Sequence, residues 1–338
     1  MRRIFACLAA AIVFVECGSV GARPLSKAVP GGRIVFRRFF DSTHRWGGIF
    51  TMDTHGRVVN QVTFPSAGVL DEEPVWSPNG KWIAFQRTQG DQTLVFVVKG
   101  KGGQPREVAA CTGGCVGEDS PAWSPNGSRL AIGIKARAGG ESVWIVTHSG
   151  HKLRRLTRPD TAHTDTEPAW SPDGRQLTFT RTTVQPVPEG RQALFVINVD
   201  GKGQRRLTPW GLRPGHHPVW SPDGKRILFC SNADQAVPNL PSNIYSIHPD
   251  GTGLAQLTHA RADQQYYSSS FSPDGRWIVF GLRPGQVLNE QVFVMRTNGA
   301  DVHALTTGEF WDGTPDWTSH GARTTDKDAV KSAPQQMP

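Results

Sequence analysis

The sequence predicts an all-β fold of six repeated units, and three observations support this prediction. One phrase returns along the chain, as EPAWSPDGRQLTF at 167–179 and HPVWSPDGKRILF at 217–229. Its aromatic anchors recur every 46 to 51 residues, and they are Trp76, Trp123, Trp170, Trp220, Phe271 and Trp317. The 338 residues include 37 Gly and 25 Pro, a composition rich in turns. Because a period of this length suits one four-stranded blade, we predict a six-bladed β-propeller.

Each repeat divides into four predicted strands. Pro-x-Trp opens the first strand, and Ser-Pro-Asp/Asn-Gly turns it, since Pro fixes φ at the second turn position and Gly accepts positive φ at the fourth. The second strand follows at once, as at 177–179. The third is an apolar run such as 194–197, and the fourth ends in Leu-Thr, as at 207–208. Consecutive apolar positions indicate strands buried on both faces, as in a blade packed between two neighbours.

The proline of Pro-x-Trp places the first strand at the inner edge of its blade. Proline has no N–H for a sheet ladder, so it belongs on an edge strand. The edge that lines the central channel of a propeller meets this requirement. We expect the anchor aromatics to pack between blades, and stacking on bases or sugars is the alternative.

The sixth blade is predicted to take strands from both ends of the chain. After Trp317 the turn sequence is TSHG, which departs from Ser-Pro-Asp/Asn-Gly, and 322–338 shows no strand pattern. GGRIVF at 31–36 matches the second strands, GIFTMD at 48–53 matches the third strands, and 57–63 supplies a fourth. Three N-terminal strands and one C-terminal strand would close the ring and protect its edges.

The N-terminal segment indicates export. Residues 1–22 combine two arginines, an apolar run and a small-residue end, which is typical of a secretory signal peptide cleaved after Ala22. An uncleaved anchor is one alternative, but the apolar run is short and is broken by Glu16. A lipid anchor at Cys17 is the other. We therefore expect a secreted or periplasmic protein.

The predicted organisation beyond the signal is simple. Residues 23–30 form a short linker, 31–321 the propeller and 322–338 a disordered tail. We expect no transmembrane segment in the mature chain, and we expect a monomer.

Charge and cysteine usage restrict the function classes. The formal net charge is +8, but the basic residues are scattered along the chain, with short doublets such as 154–155 and 205–206. Because nucleic-acid recognition needs a concentrated basic stripe, we predict no such partner. In CTGGC, Cys111 and Cys115 could close a small disulfide, since the two glycines let the loop bend. Zinc would need a second ligand pair nearby, which the sequence lacks, and Cys230 is expected to be a small core residue.

The recurrent P-x-W-S-P-D/N-G, followed by an aliphatic strand, a D-G turn and Leu-Thr, resembles the TolB-type β-propeller repeat. That repeat also occurs in prolyl-oligopeptidase-like enzymes. The resemblance covers about 31–321 and implies the propeller fold. TolB has an α/β domain before its propeller and takes part in the periplasmic Tol–Pal envelope system. Here fewer than a dozen residues separate the predicted signal from the first strand, so we expect no such domain and carry over no Tol–Pal role.

The peptidase relatives imply a different prediction. They join the propeller to a hydrolase domain with a G-x-S-x-G motif, and this sequence has no such segment. We therefore expect no peptidase activity.

Long connections gather on one face of the predicted ring, and binding usually resides in such loops. Acidic and histidine side chains stand on this face just before the channel-lining strands. These candidate site residues are Asp71, Glu72, Glu73, Glu118, Asp119, Asp165, Glu167, His216, His217 and Asp312. Since equivalent positions of a closed ring converge, we expect them to form an acidic collar with two histidines at the channel mouth.

The collar supports more than one function. We predict a non-enzymatic scaffold that binds the basic segment of a protein or peptide. We expect no cofactor, with Ca²⁺ held by the carboxylates as the alternative. Each acid could instead cap backbone N–H groups at the start of its strand or stay solvated. An enzyme of the polysaccharide lyase, hydrolase or lactonase type, with His217 as a base beside Glu167, is the second hypothesis.

Overall fold

In the computed structural model, the repeated phrase builds a tight turn between the first two strands of a blade. In the third repeat, the Ser171 hydroxyl donates to Asp173 Oδ1 at 2.6 Å, and the Gly174 N–H donates to the Ser171 carbonyl at 2.9 Å. The Gln176 N–H then donates to Ser171 Oγ at 2.9 Å. Gly174 has a φ of 70°, which a residue with a side chain rarely adopts. The predicted turn chemistry is therefore present at this position.

Six four-stranded antiparallel sheets form a ring, which confirms the predicted six-bladed β-propeller. The structure describes residues 29–57, 59–108, 115–184, 192–215, 217–231, 241–285 and 289–319. The predicted signal peptide and C-terminal tail lie outside these ranges. Within them the helical structure is one 3-10 turn, Trp210–Leu212.

The strands follow one another in chain order. The first three, which belong to blade 6, are β1 (Arg33–Phe39), β2 (Gly47–Asp53) and β3 (Asn60–Gln61). Blade 1 contains β4 (Val69–Trp76), β5 (Trp82–Gln89), β6 (Gln92–Lys99) and β7 (Arg106–Glu107). Blade 2 contains β8 (Cys115–Trp123), β9 (Arg129–Ala136), β10 (Glu141–Thr147) and β11 (Lys152–Arg155).

The remaining blades repeat this order. Blade 3 contains β12 (His163–Trp170), β13 (Gln176–Thr183), β14 (Gln192–Asn198) and β15 (Arg205–Arg206). Blade 4 contains β16 (Val219–Trp220), β17 (Ile227–Ser231), β18 (Asn243–Ile247) and β19 (Ala255–Gln256). Blade 5 contains β20 (Gln265–Phe271), β21 (Trp277–Arg283), β22 (Gln291–Arg296) and β23 (His303–Ala304), and β24 (Trp311–Thr318) completes blade 6.

Blade 6 closes the ring as the sequence predicts. The order of its sheet is β24-β1-β2-β3, so one C-terminal strand pairs with three N-terminal strands. Ile34 of β1 lies opposite Trp317 of β24 and opposite Met52 of β2. Both ends of the propeller are thereby joined in one ladder.

The Leu-Thr pairs have a structural role at the end of each fourth strand. In blade 3, the Leu194 N–H donates to the Thr208 hydroxyl at 2.9 Å, and in blade 5 the Val292 N–H donates to Thr306 at 3.0 Å. Both threonines are buried. The hydroxyl satisfies an N–H of the third strand that the short fourth strand does not reach.

The apolar core lies between neighbouring blades. One cluster contains Trp277 of blade 5 together with Ile34 and Phe36 of blade 6. Another joins Ala131 of blade 2 to Phe179 of blade 3. The anchor aromatics Trp76, Trp170, Trp220, Phe271 and Trp317 are buried, as inter-blade packing requires.

The described cysteines differ from each other. Cys230 is free and buried in β17, and burial raises the pKa of its thiol. This confirms its assignment as a core residue. Cys115 is disulfide-bonded. Cys111, which the sequence offers as its partner, lies outside the described residues.

Candidate functional site

The residue before the proline of Pro-x-Trp has an unusual backbone conformation. Its φ is 52° at Glu73, 47° at Ser120, 52° at Glu167, 55° at His217 and 47° at Thr314. In blades 1, 2, 3 and 6 the pairing register of the first strand shifts at this point, as in a β-bulge. A residue before proline normally prefers an extended conformation. Left-handed non-glycine residues cost on the order of 1–3 kcal/mol each and cluster at ligand-binding sites.

These five positions and Ser268, the equivalent residue of blade 5, surround one cavity of about 220 Å³ in the central channel. We call the six positions the ring residues, and they are Glu73, Ser120, Glu167, His217, Ser268 and Thr314. Each comes from a different blade. Prolines and small apolar residues of the same strands complete the wall, and among the described lining residues none is Lys or Arg.

A histidine and two glutamates meet in this cavity. His217 Nε2 lies 3.3 Å from Glu73 Oε1, across the channel between blades 4 and 1. The backbone N–H of His217 donates to Glu167 Oε2 at 2.6 Å. The structure therefore brings together three of the ten residues that the sequence expects at the channel mouth.

Asp316 adds a third carboxylate that sequence reasoning missed. It lies between the proline and the tryptophan of blade 6 and lines the cavity. It accepts hydrogen bonds from the Ser270 hydroxyl at 2.7 Å and from the Trp76 N–H at 2.8 Å. Burial raises the pKa of its carboxyl, against the effect of these hydrogen bonds.

Three of the predicted collar carboxylates are buried in ion pairs and do not stand in water. The pairs are Asp71 with Arg87, Asp165 with Arg181, and Asp312 with Arg38, each with two N···O distances between 2.6 and 2.8 Å. All three aspartates are 0% exposed. Each arginine lies directly opposite its aspartate on the neighbouring strand. The alternative that the acids stay solvated does not hold at these three positions, because each acid is buried and a cross-strand arginine neutralises it.

Aromatic rings cover these arginines. The Arg181 guanidinium carbon lies 4.9 Å from the ring centre of Phe195 and 5.6 Å from that of Phe179. In blade 1, Arg87 lies 4.8 Å from the ring centre of Phe96. Buried, stacked and bidentate, the pairs are part of the blade core.

The other collar residues lie in different settings. Glu118 is buried and accepts the Val95 N–H of the neighbouring blade 1 at 3.3 Å. Burial raises the pKa of Glu72, against the effect of Arg37. His216 lies outside the described residues.

Asp119 of β8 lies close to the carboxyl of Glu141 on β10, across the intervening strand β9. Both carboxyls lie against the Cα of Gly133, where any Cβ would collide with them. Burial and the Glu141 carboxyl raise the pKa of Asp119 well above its usual range, and the negative charges of Glu73 and Glu167 add to the effect. Burial also raises the pKa of Glu141. Two acids this close share a proton more readily than they ionise together.

Sequence reasoning overlooked Ser120, Ser268, Thr314 and Asp316 because they are not part of the acidic and histidine pattern. The signal that finds the first three is positional: each is aligned with Glu73, Glu167 and His217 relative to the anchor aromatic. In the described ranges, no three His, Cys, Asp or Glu side chains are grouped to hold a metal ion. In the same part of the chain, no helix has the length and apolar character to cross a membrane.

Six blades around a polar channel cavity define the class of protein as a β-propeller with a channel-side candidate site. The family model described as the TolB beta propeller domain matches residues 74–238. Residues 74–238 thus contain TolB-type β-propeller repeats. Among curated protein sequences, none matches it.

Solved structures share this fold. TolB from Acinetobacter baumannii is similar with a TM-score of 0.65 and 20% identity, over 85% of this chain and 66% of that chain. A putative TolB from Agrobacterium tumefaciens gives a TM-score of 0.61 and 20% identity, over 86% of this chain and 99% of that one. An oligogalacturonate lyase in complex with manganese gives a TM-score of 0.51 and 12% identity, over 82% of this chain and 74% of that chain. Because these identities are low, the comparison concerns the fold.

Proposed function

We propose that this protein is an exported, non-enzymatic scaffold that binds a protein or peptide partner at the channel cavity, in the cell envelope or outside the cell. The observation that carries the proposal is the ring of left-handed residues before proline. These residues include two glutamates and a histidine that line one cavity. Strain of this kind persists where the surrounding structure holds a ligand-binding arrangement in place.

Two further observations support the proposal. The sequence of residues 1–22 is typical of a signal peptide, which favours a location outside the cytoplasm. The cavity is smaller than the roughly 300–1,000 Å³ of pockets for drug-sized ligands, which favours a short segment or a side chain as the occupant.

Partner capture tests the proposal. The mature protein, immobilised on beads, is exposed to an envelope extract and to culture medium. The same experiment uses the double variant Glu73→Gln/Glu167→Gln and the charge-matched double variant Glu107→Gln/Glu309→Gln, whose side chains are exposed elsewhere. We expect a protein that the wild type and the matched variant retain and the cavity variant loses. Equal capture by all three would contradict binding at the cavity.

An enzyme acting at the same cavity is the second candidate. The contact between His217 Nε2 and Glu73 Oε1 favours it, because a carboxylate beside an imidazole can orient a general base. The likeness in fold to an oligogalacturonate lyase suggests polysaccharides for an activity screen. Turnover that is abolished by His217→Ala, with the fold intact, would replace the binding proposal by this one.

A further inference from the structure

The wall of the channel cavity is negative in a protein that is otherwise basic. Its carboxylates are those of Glu73, Glu167 and Asp316. Among the described lining residues, His217 is the one side chain that can become a cation, whereas the whole chain has a formal charge of +8. The charge of the wall therefore favours a cationic occupant.

Proline removes hydrogen-bond donors from this wall. The residues that directly follow the ring residues in five blades are Pro74, Pro121, Pro168, Pro218 and Pro315. None of them has an N–H. Two backbone donors that do reach the carboxylates, from His217 and Trp76, already serve Glu167 and Asp316. The backbone of the wall thus offers few free donors beside the carboxylates.

Several buried polar atoms of the lining residues have no hydrogen-bond partner within the described residues. Glu73 Oε2 and the Thr314 hydroxyl are two such acceptors, on the neighbouring blades 1 and 6. The Ser269 hydroxyl and the indole N–H groups of Trp76 and Trp170 are also without a partner. A buried polar atom without a partner costs about 1–3 kcal/mol. A ligand that brings N–H donors would remove this cost, and a charged donor would bind the carboxylate more strongly than a neutral one.

We propose that the cavity binds a primary alkylammonium group, with the N⁺–H donors on Glu73 and Thr314 and the methylene groups against the prolines. A primary ammonium is a compact charge with three donors, which suits the two acceptors on Glu73 and Thr314. The apolar side chains of Val75, Ala122, Ala169 and Val219 line the same space and suit an alkyl stem. This inference rests on the proposed function and names the chemical group that the site recognises.

The test uses n-butylammonium chloride as the probe and tryptophan fluorescence as the readout. Four tryptophans line the cavity, namely Trp76, Trp123, Trp170 and Trp220. We expect a saturable change with the wild type. N,N,N-trimethylbutylammonium carries the same charge without an N–H, and we expect it to bind about tenfold more weakly or worse. Glu73→Gln should weaken n-butylammonium binding by a similar factor, and the exposed control Glu107→Gln should leave it unchanged.

Two further probes distinguish the source of the ammonium group. Nα-acetyl-lysine methylamide presents a side-chain ammonium, and glycine methylamide presents the ammonium of a chain N-terminus. Binding of either probe that depends on Glu73 supports the inference and names the source.

Three results would overturn the inference. They are no saturable change with n-butylammonium, equal binding of the two butyl cations, and a response to CaCl₂ alone. None of these depends on partner capture. If capture succeeds while n-butylammonium does not bind, the scaffold function stands and the ammonium chemistry is wrong. If n-butylammonium binds while capture fails, the ammonium chemistry stands and the scaffold function is wrong.

Discussion

Asp165 and Glu167 stand two residues apart on β12, yet they lie in opposite environments. Asp165 is fully buried and forms a bidentate ion pair with Arg181. Glu167 lines the channel cavity and accepts the His217 N–H. Asp71 and Glu73 repeat the same contrast on β4. In a regular strand, residues two apart would share a face.

The left-handed residue before proline explains the difference. The register of β12 shifts between Thr166 and Ala169, and Glu167 has a φ of 52°. This bulge directs Glu167 to the channel while Asp165 keeps its cross-strand arginine. One strand therefore carries one carboxylate that is buried in an ion pair and one that lines the channel cavity.

The largest change in unfolding free energy is expected from the buried aspartates, at the ion pair that closes the ring. Asp312 of β24 pairs with Arg38 of β1, which joins the two ends of the propeller. Asp312→Asn leaves a buried arginine without its counter-charge, and we expect a loss of about 3–5 kcal/mol of unfolding free energy in urea titration. Adding Arg38→Met should recover most of that loss. A loss below about 1 kcal/mol for Asp312→Asn would place this pair among weak surface ion pairs.

A smaller change is expected at Asp316, and it is a gain in stability. Burial raises the pKa of this carboxyl in the folded state. Its contribution to stability is therefore present below the unfolded pKa and is lost as the pH rises through the folded pKa. Asp316→Asn should raise the melting temperature at pH 7, and the gain should disappear as the pH falls below about 4. A gain that does not change with pH would show that ionisation is not its cause.

The smallest effect is expected from the strained backbone. Ser120 has a φ of 47°, so Ser120→Gly should relieve strain of about 1–2 kcal/mol. The greater freedom of glycine in the unfolded chain offsets roughly 0.5–1 kcal/mol of this. We expect a net gain of about 0.5 kcal/mol by urea titration. Ser120→Ala keeps the Cβ and should show no gain, and equal results for the two variants would argue against strain.

Repeats predict the propeller well because each copy carries the same local chemistry. Three local signals each specify one element of the blade. They are the turn of Ser171 to Gly174, the Leu-Thr pairs, and the match between 31–36 and the second strands. All three are consistent with the same fold. The site is harder to predict, since its geometry depends on a change in strand register. A bulge of one residue reverses the faces that follow.

The sequence thus collects Asp71, Glu73, Asp165 and Glu167 into one collar, and the structure separates them. Two of the buried pairs also depend on an arginine 16 residues away, such as Arg181 for Asp165, and Asp312 depends on Arg38 from the other end of the propeller. Correct strand register is needed to recognise that pairing. Asp316 and Thr314 escape a search for acidic clusters because they enter the cavity through their position in the repeat.

The most direct measurement compares Asp165→Asn with Glu167→Gln in parallel urea titrations of the mature protein. Each substitution removes one negative charge from the same strand and keeps the shape of the side chain. We predict a loss of about 3–5 kcal/mol for Asp165→Asn and of less than about 1 kcal/mol for Glu167→Gln. Equal losses of unfolding free energy would contradict the division of these acids into a structural class and a binding class.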